Sequence, residues 1–295
     1  MENIPKENLS PKTDVSFPFA NLERSKDVFG PSAVFYDVPG HPELIVRKCF
    51  VSKEVMENIN EELEEKDEYK DFTEEELEEI RNKKKVEQLI KNAGDFQKTG
   101  KRYGLRMAET SYVVGTDPDS GKPEIFGVTD RIIGENLKTM RGISKKMEGE
   151  IDEVFSGIIF HLRDSYLGNG VFWRDFRDDQ ILYGAKYRET EQHPYLIDVD
   201  PLMVSWVDPK ICKTENERED LFWTKIGLIL AIEVERVEEK IQSGRLVKTR
   251  EALNDVIKTV PEPKSVRAKN WYDSLVDDLR GNSINDFPNI GFRFS

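Results

Sequence analysis

The chain has 295 residues, enough for one large domain or two smaller units, with 37% hydrophobic and 34% charged residues and a formal net charge of −13. That acidity argues against a general binder of nucleic acid or of an anionic membrane, and no apolar run approaches the ~20 residues that cross a bilayer. Two cysteines, Cys49 and Cys212, build no disulfide framework or zinc cluster, and His41, His161 and His193 lie far apart without metal-type spacing.

In chain order, residues 1–20 are polar and proline-containing and read as a loose tail without an apolar leader, so the expected compartment is the cytoplasm. Residues 27–38 read as strand, turn, strand; Pro39-Gly40-His41-Pro42 is a tight turn, and residues 43–50 form the next strand. Residues 52–92 are acidic and helical. Val55, Met56, Ile59 and Leu63 recur at helical spacing behind Ser52, and Thr73 with Glu76 makes a capping box that opens a second helix. The acidic runs 61–68 and 74–79 read as solvated faces, or as a docking surface for a basic protein partner. Residues 110–115 and 124–130 are two more strands around the turn-rich tip Asp117–Lys122, which makes five. Residues 131–137 then leave the sheet.

The second half is mainly helical. An apolar stripe through Ile151, Val154, Phe155, Ile158, Ile159 and Leu162 stops near Leu167-Gly168-Asn169-Gly170. It delivers the chain into residues 171–201, where Ile181-Leu182-Tyr183 and Tyr195-Leu196-Ile197 read as the strands of a hairpin. An acidic loop precedes the first strand and Asp-Val-Asp-Pro comes after the second, which brings Asp175, Gln180 and Asp198 near one edge. Two carboxylates and an amide oxygen are the hard donors that Mg²⁺ takes when it works on phosphates. Residues 201–216 are irregular. A long helix through Leu221, Phe222, Ile226, Ile229, Leu230, Val234 and Val237 reads as core, with helices over 250–260 and 270–280 after it, split by Pro261 and Pro263.

Two motifs carry a resemblance: Trp173-Arg174-Asp175-Phe176-Arg177-Asp178-Asp179-Gln180, and Ile197-Asp198-Val199-Asp200. Together with the order of elements they resemble the catalytic centre of the protein kinase-like superfamily, closest in pattern to aminoglycoside and choline kinases. Trp173 stands where the family has His, Gln180 where it has Asn, and Val199 where it has an aromatic residue. The resemblance implies a two-lobed α+β fold. Residues 21–133 would form the small lobe with its five-stranded antiparallel sheet, and 134–295 the larger helical lobe. It implies ATP and Mg²⁺, with Asp198 on the metal, Gln180 as a neutral oxygen ligand and Asp200 on a second metal or capping a turn. Asp175 would orient an acceptor hydroxyl and take its proton. Gly30 and Ser32 would stand in for a glycine-rich loop over the phosphates. Arg47 or Lys48 would be the phosphate-binding cation, with Arg47 favoured by spacing, and Glu87 its partner. Residues 130–133 would hold the adenine. Three functions stay open: an ATP-dependent phosphotransferase acting on a small-molecule hydroxyl, a nucleotide-binding pseudokinase, and an interaction module working through residues 52–92.

Overall fold

A computed structural model describes residues 22–26, 34–49, 53–108, 110–168, 170, 172–173, 176–197, 206–207 and 214–280. Five strands form one antiparallel sheet: β1 (Glu23–Arg24), β2 (Phe35–Asp37), β3 (Leu44–Lys48), β4 (Thr110–Thr116) and β5 (Pro123–Asp130), in the spatial order β1-β2-β3-β5-β4. The chain is therefore α+β with a five-stranded antiparallel sheet; its first strand lies at Glu23–Arg24 rather than within 27–38, and residues 27–33 of that stretch lie outside the described residues. The β4–β5 tip is closed by Asp117, whose N–H donates to Lys122 O (2.8 Å) and whose O accepts from Gly121 N (2.8 Å).

Strand alternation sorts the sheet into two faces. Tyr36, Val46, Phe126 and Val128 build a core on one, joined by Leu22 and Val38. Cys49, Tyr112 and Ile125 lie on the other, where α2 (Glu74–Arg102) covers them with Leu89, Val86 and Ile90. The helix opens on the predicted capping box. Thr73 N donates to Glu76 Oε2 (2.7 Å) and Glu76 N to Thr73 Oγ1 (3.3 Å). Helix α1 (Lys53–Glu65) pairs with α2 through polar bonds: Arg81 Nε to Asn60 Oδ1 (3.1 Å) and Lys84 Nζ to Glu62 Oε1 (2.9 Å). Glu62 also takes Lys66 Nζ (2.7 Å), and these bonds, Lys66's first, hold its carboxyl down at about 2. Much of the acidic region is thus paired within itself.

The segment expected to leave the sheet at 131–137 enters a second one. β6 (Ile132–Asn136) pairs antiparallel with β8 (Ile181–Lys186), and β8 with β9 (His193–Leu196), in the order β6-β8-β9. A third, two-stranded sheet joins β7 (Phe172–Trp173) to β10 (Trp206–Val207). Gly134 and Gly184 face each other in the β6–β8 register, and a Cβ on either would sit 2.2–2.3 Å from the partner strand's carbonyl oxygen. Only glycine lets these strands approach so closely.

Helix α3 (Lys145–Leu167), capped by Ser144 accepting from Met147 N, runs through the largest core with Ile151, Phe155, Ile158 and Leu162 buried. Around it pack α4 (Glu215–Leu228), a π-helical segment (Ile229–Val234), α5 (Glu235–Glu238), α6 (Val247–Thr259) and α7 (Val266–Leu279). Neighbouring helices cap one another. Asp152 on α3 accepts the N–H groups of Lys248 (2.9 Å) and Thr249 (2.8 Å) at the start of α6. Glu219 on α4 accepts from Lys264 N and Ser265 N, both 3.0 Å, ahead of α7. Arg218 donates to the carbonyls of Ser165 (3.1 Å), Tyr166 (3.0 Å) and Gly170 (3.0 Å) at the end of α3. Among the described residues no helix is long and apolar enough to cross a membrane.

Helix α4 approaches α7 at Gly227, where a Cβ would lie 2.2 Å from Cε3 of the buried Trp271 ring. Gly149 on exposed α3 surface has nothing within 4 Å. The two Gly→Ala changes should therefore have opposite signs in denaturant unfolding. Gly149→Ala stabilises by roughly 0.5–1 kcal/mol through backbone entropy. Gly227→Ala destabilises by about 1–3 kcal/mol through overpacking. Equal effects would mean that α4 and α7 do not meet at this point.

Candidate functional site

The candidate site is the loop between β7 and β8, together with the chain that leaves β9. Asp175, Asp198, Asp200, Gly30 and Ser32 lie outside the described residues, as does the N-terminal tail. The described residues supply the frame around the two motifs. Ile197 N donates to Gln180 O at 2.9 Å, which ties the residue before Asp198 to the last residue of the first motif. Trp173, two residues before Asp175, is paired with Trp206, and β7–β10 pairing thus brackets both acidic segments.

Residues 178–180 form one 3₁₀ turn. Gln180 is buried, and its side-chain oxygen, expected on a metal, accepts the N–H of Arg177 (2.9 Å). A carbonyl oxygen has a second lone pair, so this bond reduces the metal-binding capacity of Gln180 without abolishing it. Asp178 is buried and its Oδ1 receives Arg236 Nη1 at 2.8 Å. Asp179 is flanked by Arg177 Nε (3.3 Å) and Lys138 Nζ (3.5 Å). Both acids therefore have cationic neighbours of their own.

The loop is held from beneath by three side chains that sequence reasoning absorbs into a core helix. Lys225 Nζ, on α4, donates to Phe176 O, and Phe176 packs edge-on to Phe155 of α3. Glu233, in the π segment, accepts Asp178 N–H on Oε2 (2.8 Å). Arg236 bridges Asp178 and Glu233, the latter at 3.7 Å. Lys225 and Glu233 are each 7% exposed. A signal was present: Lys225, Ile229, Glu233 and Val237 recur every four residues, so two charges stand in the apolar stripe of a helix, where charges are found only when partnered.

The two candidate cations of β3 lie on opposite faces. Lys48 is in register with Phe126 and its Nζ is 3.0 Å from both Asp117 Oδ2 and Glu124 Oε1. Asp117 also receives Tyr36 Oη (3.1 Å) and Ser120 Oγ (2.7 Å), and the hydrogen bond from Ser120 leads those holding its carboxyl down at about 2. Lys48 is thus part of the structural closure of the β4–β5 tip. Arg47 is in register with Gly127 and so with Tyr112, on the face that α2 covers. Glu87 is not brought to either cation. Val86, Leu89 and Ile90 turn inward, and Glu87, about 100° around the helix from Val86, is exposed.

No protein-family model matches the chain, and neither does any curated protein.

Burial pushes the Glu233 carboxyl up to about 7, from 4.5, with the nearby Asp178 charge adding to the rise. The unfolded chain then releases this proton between pH 4.5 and 7 while the folded protein keeps it, so folding stability falls as pH rises through that window. Glu233→Gln removes the titration. Thermal unfolding of this variant from pH 4.5 to 7.5 should fall less steeply than that of the parent; parallel curves would assign the slope to other groups.

Proposed function

We propose that this chain is an ATP-dependent phosphotransferase of the protein kinase-like superfamily. The acceptor is a hydroxyl, of a small molecule rather than a protein, because residues 201–216 lack the end motif of a protein-kinase activation loop. The observation that carries this is the bond from Ile197 N to Gln180 O, which ties the chain ahead of the second acidic motif to the end of the first. The order of elements supports it: a five-stranded sheet with helices inserted between β3 and β4, a crossing segment, a buried helix, the acidic loop, a hairpin and the second motif. The finer architecture we propose is two-lobed, with the nucleotide between the five-stranded sheet and the loop held by α4.

The donor set suits Mg²⁺: Asp198, Asp200 and Gln180 offer only oxygens. Bound Mg²⁺ would neutralise charge on the phosphates, the main requirement of phosphoryl transfer. Arg47, favoured by its spacing and placed on the sheet face that α2 covers, is the cation assigned to phosphate. Asp175 is assigned to orient the acceptor hydroxyl and receive its proton. A second reading, nucleotide binding without turnover, is favoured by the bond from Arg177 N to Gln180 Oε1, which draws the amide oxygen into its own loop.

Titration with Mg-ATP and assay of turnover separate these roles. Asp198→Asn should weaken metal-dependent nucleotide binding. Asp175→Asn should leave binding intact and lower the rate by about 10²–10⁴-fold, the contribution of a positioned base. Arg47→Met should weaken binding, whereas Lys48→Met should cost stability and spare affinity. Binding without turnover in the parent selects the second reading. Negligible effects of both Asp substitutions reject a kinase-like site.

A further inference from the structure

We infer that Lys225, Glu233 and Arg236 form a positioning clamp that fixes the acidic loop from the side opposite its solvent face, and that the π segment exists to align them. This rests on the phosphotransfer reading for its purpose and on the hydrogen-bond geometry for its existence.

The three residues take hold of three different parts of the loop. Lys225 Nζ holds the carbonyl of Phe176, the residue directly after Asp175. Glu233 Oε2 holds the N–H of Asp178 (2.8 Å), and Arg236 Nη1 holds the Asp178 carboxylate (2.8 Å). One backbone acceptor, one backbone donor and one side chain are thereby fixed within three residues, at the entrance to the turn that carries Gln180. A loop segment tied at both polarities of its backbone can neither slide nor rotate without breaking a buried charge-assisted bond.

The helix geometry explains the π segment. In an α-helix, residues four apart drift by about 40° around the axis, and residues eight apart by about 80°. Lys225 and Glu233 are eight apart and would point to different sectors of a regular helix. Residues Ile229–Val234 are π-helical, and the wider i→i+5 turn moves each residue through a smaller angle. The drift gained between Lys225 and Ile229 is offset between Ile229 and Glu233, so both side chains reach the same loop. The neighbouring Ile232 is left 39% exposed while Ile229, Leu230 and Val234 stay in the core.

Hydrogen exchange on the full-length protein tests the clamp, with Mg-ATP turnover measured in parallel. Lys225→Met and Glu233→Ala should raise amide exchange in residues 176–180 by about tenfold, the loss of one net hydrogen bond, with α3 unchanged. Glu233→Gln, whose amide oxygen still accepts the Asp178 N–H, should retain most of the protection. The exposed Glu239→Gln is the control. In turnover, Lys225→Met and Glu233→Ala should lower kcat by up to about 10²-fold, as for misplaced reacting groups, with KM for ATP little changed. Parent-like exchange in Lys225→Met and Glu233→Ala overturns the clamp, as does exchange in Glu233→Gln equal to that in Glu233→Ala. A raised KM with unchanged kcat overturns its positioning role. Should Glu233→Ala lose protection throughout the molecule, Arg236→Met decides: selective opening of 176–180 supports the clamp and parent-like exchange rejects it. A parent without Mg-ATP binding or turnover defeats the phosphotransfer reading alone, because exchange still decides whether the loop is clamped.

Discussion

The burial of an ammonium and a titratable carboxyl on one helix is the constraint on which the second half of this structure depends. Lys225 and Glu233 sit among Phe222, Ile226, Ile229, Leu230 and Val234 in the largest core. Removing an ammonium or a carboxylate from water costs several kcal/mol unless opposing groups replace the hydration. Those groups are the Phe176 carbonyl, the Asp178 amide and the Arg236 guanidinium. The helix buries Lys225 and Glu233 only with the loop in place, and Phe176, packed edge-on against Phe155 of α3, joins the loop to the same core. Core formation and loop geometry are therefore one cooperative event. The close approach of α4 to α7 at Gly227 and the anchoring of the α3 terminus by Arg218 hold the charged helix in register for it.

The net charge of −13 takes on structural meaning in the same terms. Asp152 and Glu219 satisfy N–H groups at the entrances of α6 and α7, where a helix leaves donors unpaired and its dipole favours an anion. Glu238 and Asp278 enclose Arg250, with contacts of 2.5 Å and 2.7 Å. Asp117 knots the β4–β5 tip to Tyr36 and Lys48. Several acids that look like surface charge in the sequence are thus internal fasteners between elements distant in the chain. The Asp residues among them, Asp117, Asp152 and Asp278, suit this role because a short side chain loses little rotamer entropy when fixed.

Features decided locally are the ones legible in the sequence. Strands β2 to β5, the 117–122 tip, the Thr73–Glu76 capping box and the 181–197 hairpin depend on residues within one or two turns of each other. The partners of Lys48 lie 69 and 76 positions away, so adjacency of Arg47 and Lys48 could not separate a structural cation from a candidate for phosphate. Strand β6 escapes a sequence reading for a related reason. Ile132-Ile133-Gly134-Glu135-Asn136 has no alternation, because it lies at the edge of its sheet, and its partner β8 begins at Ile181. The Lys225–Glu233 pair is legible as charge at apolar spacing, but its meaning requires the loop above it. Asp178 and Asp179 stand between the matched positions of the first motif, and the structure gives them Arg236, Arg177 and Lys138 as partners.

On the phosphotransfer reading the nucleotide base falls at the crossing between the two larger sheets, whose backbone is already partly committed. Arg131 N donates to Glu43 O (2.8 Å), Arg131 O accepts from Tyr187 N (3.2 Å), and the guanidinium reaches Asp37 and the Leu44 carbonyl. Lys186 clasps Asp130 at 2.7 Å. A segment pinned in this way is a fixed strut rather than a free hinge. Beyond it, β6 is the edge strand of its sheet, so alternate N–H and C=O groups along it point away from β8. The outward groups ahead of Asn136, whose carbonyl already accepts from Thr139 N (3.2 Å) and Met140 N (3.1 Å), lie beside an Ile133 that is 54% exposed, and on the phosphotransfer reading they are the ones a flat heteroaromatic base would meet with complementary hydrogen bonds and an apolar contact. On the phosphotransfer reading, base recognition therefore falls to the edge of β6 after Arg131, toward the later part of the 130–133 segment that the sequence alone singles out. The rigidity of the strut means that binding there would require little ordering of the chain, which leaves more of the contact free energy to hold the base.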